Sequence, residues 1–305
     1  MRRGMRILLP AILLSLPIAA GAQTSKVTNV QKVTEGVWMA QTSQGSNVGW
    51  FLVGEEVVAV DAGSDRATGE AVLEKIQETA HKPVRYLVVT HAHGDHGGGA
   101  GAFAAAGAEI VCHESATPGL AQIVAQSSRT KSGVLAFTDR LALLGGARRV
   151  AMYFLGAAHS AGDIVVFLPE EKTLFAGDVV LATGAPYMQS PDVDPEGWEN
   201  ILERLAQLDV EKVVPGHGAL GARKAIADTY AYVKKINDAA RIIVKENVNE
   251  SLIEARLRQP DTGIDAALIT PDLLGNVRAV SRALKKKAAP TPASKPTKPP
   301  ADKKS

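Results

Sequence analysis

The segment Thr90-His91-Ala92-His93-Gly94-Asp95-His96 packs three imidazoles and a carboxylate into six residues, directly after the apolar run Tyr86-Leu87-Val88-Val89. Imidazole nitrogens and carboxylates are the ligands that zinc and other first-row divalent ions take. On extended backbone His91 and His93 point the same way, so they can share one ion, while Asp95 and His96 suit a second ion close by. A lone His-x-His is usually two solvated rings. The six-residue cluster demands more of the fold, because a buried strand must stop at an edge where further ligands can be collected on loops.

Three later segments offer those ligands. Arg148-Arg149 leads into Val150-Ala151-Met152-Tyr153-Phe154-Leu155, with His159 just beyond; Lys172-Thr173-Leu174-Phe175-Ala176-Gly177 ends in Asp178; Glu211-Lys212-Val213-Val214-Pro215-Gly216 ends in His217. Each candidate follows a short β-like run and often a glycine. Five of the seven histidines fall in this pattern. His81 reads as a solvated turn residue, and His113, after Val111-Cys112, as a structural hydrogen-bonding group at a strand end.

In order and spacing these residues resemble the metallo-β-lactamase superfamily of hydrolases, over roughly residues 27–232. The resemblance implies an α/β fold, the αβ/βα four-layer sandwich of two mixed β-sheets with external helices and a metal site at one sheet edge. It implies that His91, His93 and His159 hold one ion and that Asp95, His96 and His217 hold another, with Asp178 bridging them. Asp61, in Val58-Ala59-Val60-Asp61-Ala62-Gly63, matches an early aspartate that orients ligand histidines, a role that affects metal affinity; a plain turn after a strand is the equally weighted alternative. The expected cofactor is two Zn2+, with iron or manganese acceptable to the same donors. Two cations about 3.5–4 Å apart can share a hydroxide at neutral pH, which would attack a carbonyl or phosphoryl centre. Asp95 and Asp178 are the candidate catalytic carboxylates, and no nucleophilic Ser or Cys is needed. Cys112, the single cysteine, reads as a small buried thiol.

The sequence departs from the best-known zinc β-lactamases at two places. They carry a cysteine where this chain has Asp178, and a lysine three residues on, where it has Leu181. A carboxylate at the bridging position is similar to the esterase, lactonase, thioesterase and phosphodiesterase branches. The expected function is an exported dinuclear zinc hydrolase acting on an ester, lactone, thioester or amide of a small molecule. A β-lactamase is the leading specific alternative, and a non-hydrolytic metal-binding or redox accessory protein is the rival from another class.

The ends of the chain differ from its body. Arg2, Arg3 and Arg6 followed by the apolar stretch Ile7 to Ala19 and by Ala20-Gly21-Ala22 read as a secretory signal over 1–22, hence a periplasmic or secreted protein with no stable membrane insertion after cleavage. Residues 285–305 form a Lys/Pro-rich tail expected to be disordered. Of 34 basic residues, three lie in 1–22 and seven in 285–305, which leaves the body with 24 basic against 31 acidic residues and a net charge of −7. An acidic body disfavours nucleic acid as a partner.

Between the ends, 23–284 reads as one domain with a helical C-terminal cap. Four antiparallel strands are expected at 27–33, 37–41, 48–53 and 57–60, then a helix over 67–80. Gly97-Gly98-Gly99-Ala100-Gly101 reads as a close-packing turn that opens an Ala-rich helix, with no acidic partner placed for a nucleotide loop. The stretch 115–146 reads as helix, break and a short amphipathic piece, a candidate lid. Tyr187, in the loop after Asp178, is a substrate-pocket candidate whose phenol could face a developing oxyanion. A long helix is expected over 222–244 and shorter ones at 252–257 and 276–284. Nothing in the sequence sets the oligomeric state.

Overall fold

A computed structural model describes residues 26–127, 133–182 and 184–288; the segment 1–22, expected to be a secretory signal, lies outside them, as do residues 128–132 of the break expected over 127–133 and the last 17 residues, 289–305. Two mixed sheets pack face to face. The first holds β1 (Val27–Thr34), β2 (Val37–Thr42), β3 (Asn47–Val53), β4 (Glu56–Val60), β5 (Val84–Val88), β6 (Glu109–His113) and β7 (Val134–Phe137) in sequence order. Its β1 to β4 run antiparallel, and β4 to β7 run parallel. The second holds β8 (Arg140–Gly145), β9 (Arg148–Phe154), β10 (Ile164–Leu168), β11 (Thr173–Gly177), β12 (Lys212–Pro215) and β13 (Gly221–Ala222), in the order β13-β12-β11-β10-β9-β8. Only β11 and β12 are parallel in that sheet.

Period-two alternation builds the layers. In β4, Val58 and Val60 face the second sheet and Val57 and Ala59 face the helices. In β10, Ile164, Val166 and Leu168 point into the inter-sheet core, and Val165 and Phe167 point out. Buried on both faces, these strands read as continuous apolar runs. Outside the first sheet lie α1 (Arg66–Ala80), α2 (Gly94–Gly97), α3 (Ala100–Ala105) and α4 (Thr117–Ser127), where Val72, Ile76, Phe103 and Leu120 cover the sheet's outer face. Outside the second lie α5 (Pro195–Leu205), α6 (Lys224–Lys245), α7 (Ile253–Leu257) and α8 (Pro271–Ala288), with Trp198, Ile236 and Val277 in one cluster. The four-layer αβ/βα sandwich is thus the observed architecture. Cys112 is a free, buried thiol.

Three local expectations differ. The amphipathic piece after 133 is no lid but two edge strands, because Leu141 and Leu143 alternate with the exposed Arg140, Ala142 and Leu144, so that β7 completes one sheet and β8 the other. The helix expected at 276–284 begins at Pro271, a residue whose missing N–H costs nothing in a first turn. It also continues past Lys285 to Ala288: three lysines in a last turn complement the helix dipole, and Lys287 pairs with Glu196 at 2.8 Å. Among the described residues no helix is long and apolar enough to cross a membrane.

Candidate metal centre

The cluster His91 to His96 lies just past β5, on the loop and short helix α2. His159 lies on the loop between β9 and β10, Asp178 follows β11, and His217 follows β12. The seven predicted ligands come together at one end of the two sheets. Their donor atoms form three overlapping groups, His91–His93–His159, His91–His96–Asp178 and Asp95–His96–His217, each within 4.8 Å. The Asp178 carboxylate stands between the groups: Oδ1 is 3.2 Å from His96 Nε2 and 3.6 Å from His217 Nε2, and Oδ2 is 3.4 Å from His159 Nε2. Gly216 makes room for it, since a Cβ there would sit 1.8 Å from Asp178 Oδ1.

Hydrogen bonds at the rear of the rings fix which nitrogen faces inward, as ligand histidines require. Asp61, held at φ 60° at the end of β4, accepts from Thr90 N (2.7 Å), from Thr90 Oγ1 (2.9 Å) and from His96 Nδ1 (2.8 Å). Because the Thr90 hydroxyl donates to Asp61, its oxygen accepts from His91 Nδ1 at 3.1 Å. His159 donates from Nδ1 to the Tyr187 carbonyl at 3.1 Å. His91, His96 and His159 therefore present Nε2 to the centre. His93 is turned the other way, with Nδ1 2.8 Å from His159 Nε2 and Nε2 3.5 Å from Ser190 Oγ. The chemistry of the donor set fits divalent cations. Two of its atoms, His91 Nε2 and Asp178 Oδ1, are buried with no hydrogen-bond partner, whereas buried polar atoms are almost always paired.

The charges are arranged to match. Burial alone would raise the Asp178 carboxyl, but the imidazoles packed around it, His96 first and then His91 and His159, hold it far below the usual carboxylate range. Burial pushes His91 well below the ordinary histidine value, with the neighbouring His96 charge adding to it. Burial also lowers His159. For His96 burial is outweighed by the Asp61 and Asp178 carboxylates, which raise it well above that value.

Several residues that brace the site were not singled out in the sequence. Asp163 accepts from Ala158 N, Ser160 N and Ser160 Oγ at 2.7–3.1 Å, which shapes the turn carrying His159; its burial pushes the carboxyl up to about 7. Asp192 accepts from Ala161 N at 3.0 Å. In α8, Asn276 donates to Pro186 O (2.7 Å) and accepts from Met188 N (3.0 Å), so the C-terminal helix holds the loop whose Tyr187 carbonyl orients His159. The Tyr187 side chain is 55% exposed with its ring centroid 6.4 Å from that of His159, at the rim of the site. Gly99 is a close-packing residue: a Cβ would lie 2.1 Å from Ala62 O, so the glycine run lets α3 begin against the Asp61 turn.

The remaining histidines stay apart from the centre. His81 is the exposed left-handed cap of α1. His113 stacks on Phe154 at 3.6 Å, faces Thr138 O through Nε2 at 3.2 Å, and accepts from Ser115 N at 3.2 Å. Its role is structural.

A two-sheet sandwich with a buried His/Asp cluster at one sheet edge is the arrangement of a metal-binding hydrolase scaffold. The metallo-beta-lactamase superfamily model matches residues 43–217, more than half of the chain, and the chain belongs to that superfamily. It is 29% identical to the 2,4-dinitroanisole O-demethylase subunit alpha of Nocardioides sp. (strain JS1661), over 62% of this chain and 55% of that protein. The match thus spans about half the length of that relative. To the metallo-beta-lactamase type 2 of Bacteroides fragilis it is 25% identical, over 73% of this chain and 95% of the relative. A solved metallo-beta-lactamase from Pontibacter korlensis superposes with a TM-score of 0.58 at 28% identity, covering 68% of this chain and 98% of the other.

Proposed function

We propose that this chain is an exported hydrolase that uses two divalent ions, zinc first among them, to cleave an ester, lactone, thioester or amide bond in a small molecule. The observation that carries this reading is the pair of buried, unpartnered atoms His91 Nε2 and Asp178 Oδ1 inside a complete set of ligand groups. His91, His93 and His159 would hold one ion, Asp95, His96 and His217 the other, and Asp178 would bridge them. Ions held there supply Lewis-acid polarisation and a nucleophile at neutral pH. The chain's own contribution is to fix the imidazole tautomers through Asp61, Thr90 and the Tyr187 carbonyl. It also keeps Asp178 ionised and leaves the Asp95 carboxylate, with its side chain 36% exposed, at the open side, where it could take a proton from the attacking water and return it to a leaving group. The Arg2-to-Ala22 leader supports export.

The matched metallo-beta-lactamases favour a β-lactam as a second substrate class. Asp178 and Leu181 speak for the ester, lactone and thioester side: Leu181 is a half-buried apolar residue whose backbone N–H goes to Thr229 Oγ1 at 3.2 Å, so that position offers no cation for a substrate carboxylate. A complete ligand set also speaks against an accessory protein that has lost its activity with its ligands. The test is hydrolysis of chromogenic esters, lactones, thioesters and a chromogenic β-lactam by zinc-loaded and chelator-stripped protein. Metal-dependent turnover on an oxo- or thioester panel is expected; a kcat/KM near about 10⁴ M⁻¹s⁻¹ on the β-lactam alone would make the chain a β-lactamase. Two bound ions with no turnover on any of the four would overturn the hydrolase reading.

A further inference from the structure

At the head of β3, Ser46 and Asn47 are almost completely buried, 0% and 3% exposed, and they touch the backbone that carries Asp95 and His217. Ser46 Oγ donates to the Asp95 carbonyl at 2.8 Å and is held by the Thr42 hydroxyl at 2.9 Å. Asn47 Nδ2 donates to Pro215 O at 2.9 Å and to Gly218 O at 2.8 Å, the carbonyls on either side of His217. The backbone repeats the contact, with Asn47 N donating to Gly216 O at 2.7 Å and Ser46 forming an isolated antiparallel bridge with His217. The Asn47 amide orientation is imposed by this contact, because its Oδ1 is left buried with no hydrogen-bond partner, an arrangement folded proteins rarely keep.

Asp95 and His217 belong to one ligand group, which His96 completes. Neither Ser46 nor Asn47 makes a hydrogen bond to the backbone or ring of His91, His93 or His159. We infer that Ser46 and Asn47 are positioning residues for the Asp95–His96–His217 ion site alone: one anchors the Asp95 turn, the other both flanks of His217, and together they set the spacing of Asp95 and His217, whose Oδ2 and Nε2 lie 3.1 Å apart. The inference deepens the two-ion reading and rests on it. An asparagine is required rather than an aspartate, since a carboxylate at position 47 would face two carbonyl oxygens with no proton to give.

The test is a cobalt(II) titration of the chelator-stripped full chain, read by absorbance and by competition with a chromogenic chelator. Asp95→Asn marks which equivalent belongs to this site. Asn47→Asp, nearly identical in volume, is expected to weaken that equivalent at least tenfold, the lower end of what orienting groups contribute (about 10–100-fold), and to leave the His91–His93–His159 equivalent within twofold. Ser46→Ala, which deletes one hydroxyl, should shift the same equivalent in the same direction by less, and it carries the test if Asn47→Asp does not fold. Equal weakening of both equivalents, or of neither, overturns the inference while leaving the two-ion reading intact. A native chain that takes up a single ion overturns that reading and the inference with it.

Discussion

The two sides of the metal centre are built differently. From the first sheet come four candidate ligands within six residues, His91 to His96, on one loop and one short helix, and a single carboxylate, Asp61, orients both His96 and, through Thr90, His91. From the second sheet come His159, Asp178 and His217, each alone at a strand end, with bracing borrowed from distant elements: the Tyr187 carbonyl held by α8, the Asp163 cap, and the Asn47 clamp from β3. A compact ligand loop carries its own geometry because neighbouring residues share one backbone path. A dispersed half must import its geometry, and each imported contact is a separate point of failure.

That difference can be probed where the halves meet and where they part. Asp178, shared by both, should give the largest effect: Asp178→Ala is expected to abolish tight binding of two ions and to lower kcat/KM at least about a thousandfold, since charge stabilisation of several kcal/mol goes with the ions. Full two-metal occupancy in that variant, measured by elemental analysis, would remove Asp178 from the bridge. Next comes Asn276→Ala, which leaves Pro186 O and Met188 N without their partners, a loss of about 1–3 kcal/mol in thermal stability. It should weaken the ion on His91–His93–His159 about tenfold while sparing the one on Asp95–His96–His217, the reverse of Asn47→Asp. Identical metal profiles for the two asparagine variants would dissolve the contrast between the halves.

Smaller still is Tyr187→Phe. The carbonyl that orients His159 survives, so metal binding should stay unchanged and kcat should fall severalfold if the phenol meets the developing oxyanion; an unchanged kcat/KM excludes it. The smallest effect lies outside the centre. Burial lowers the His113 imidazole below the ordinary value, and its Nδ1 is already an acceptor, so protonation opposes the folded state. A group depressed in this way stabilises the fold above its unfolded pKa of about 6.5, and that contribution is lost as pH falls through the folded value. His113→Gln should flatten the decline of Tm in the acid limb, and an unaltered slope would show that His113 does not titrate with unfolding.

The legibility of the chain follows the same divide. His91, His93, Asp95 and His96 declare themselves because a local cluster of ligands has no other economical explanation, and the strands declare themselves because both faces are apolar. His159, Asp178 and His217 are visible as polar residues closing β-like runs, although their convergence depends on β11 lying parallel to β12. The piece at 134–145 is ambiguous in one dimension, since a short alternating run takes its identity from whichever sheet edge receives it. Ser46, Asn47, Asp163 and Asn276 carry no signal in one dimension: an Asn at a strand head or inside a helix is chemically ordinary until the fold sets a carbonyl opposite it. Sequence alone determined the ligand types, their order and the alternating strands, because these are local matters of side-chain chemistry and backbone period. Tertiary structure alone decided which nitrogen of each ring faces the centre and what holds the dispersed ligands in place, because those depend on hydrogen bonds between residues distant in sequence, 28 positions apart for His159 and Tyr187, 35 for Asp61 and His96 and 171 for Asn47 and Gly218.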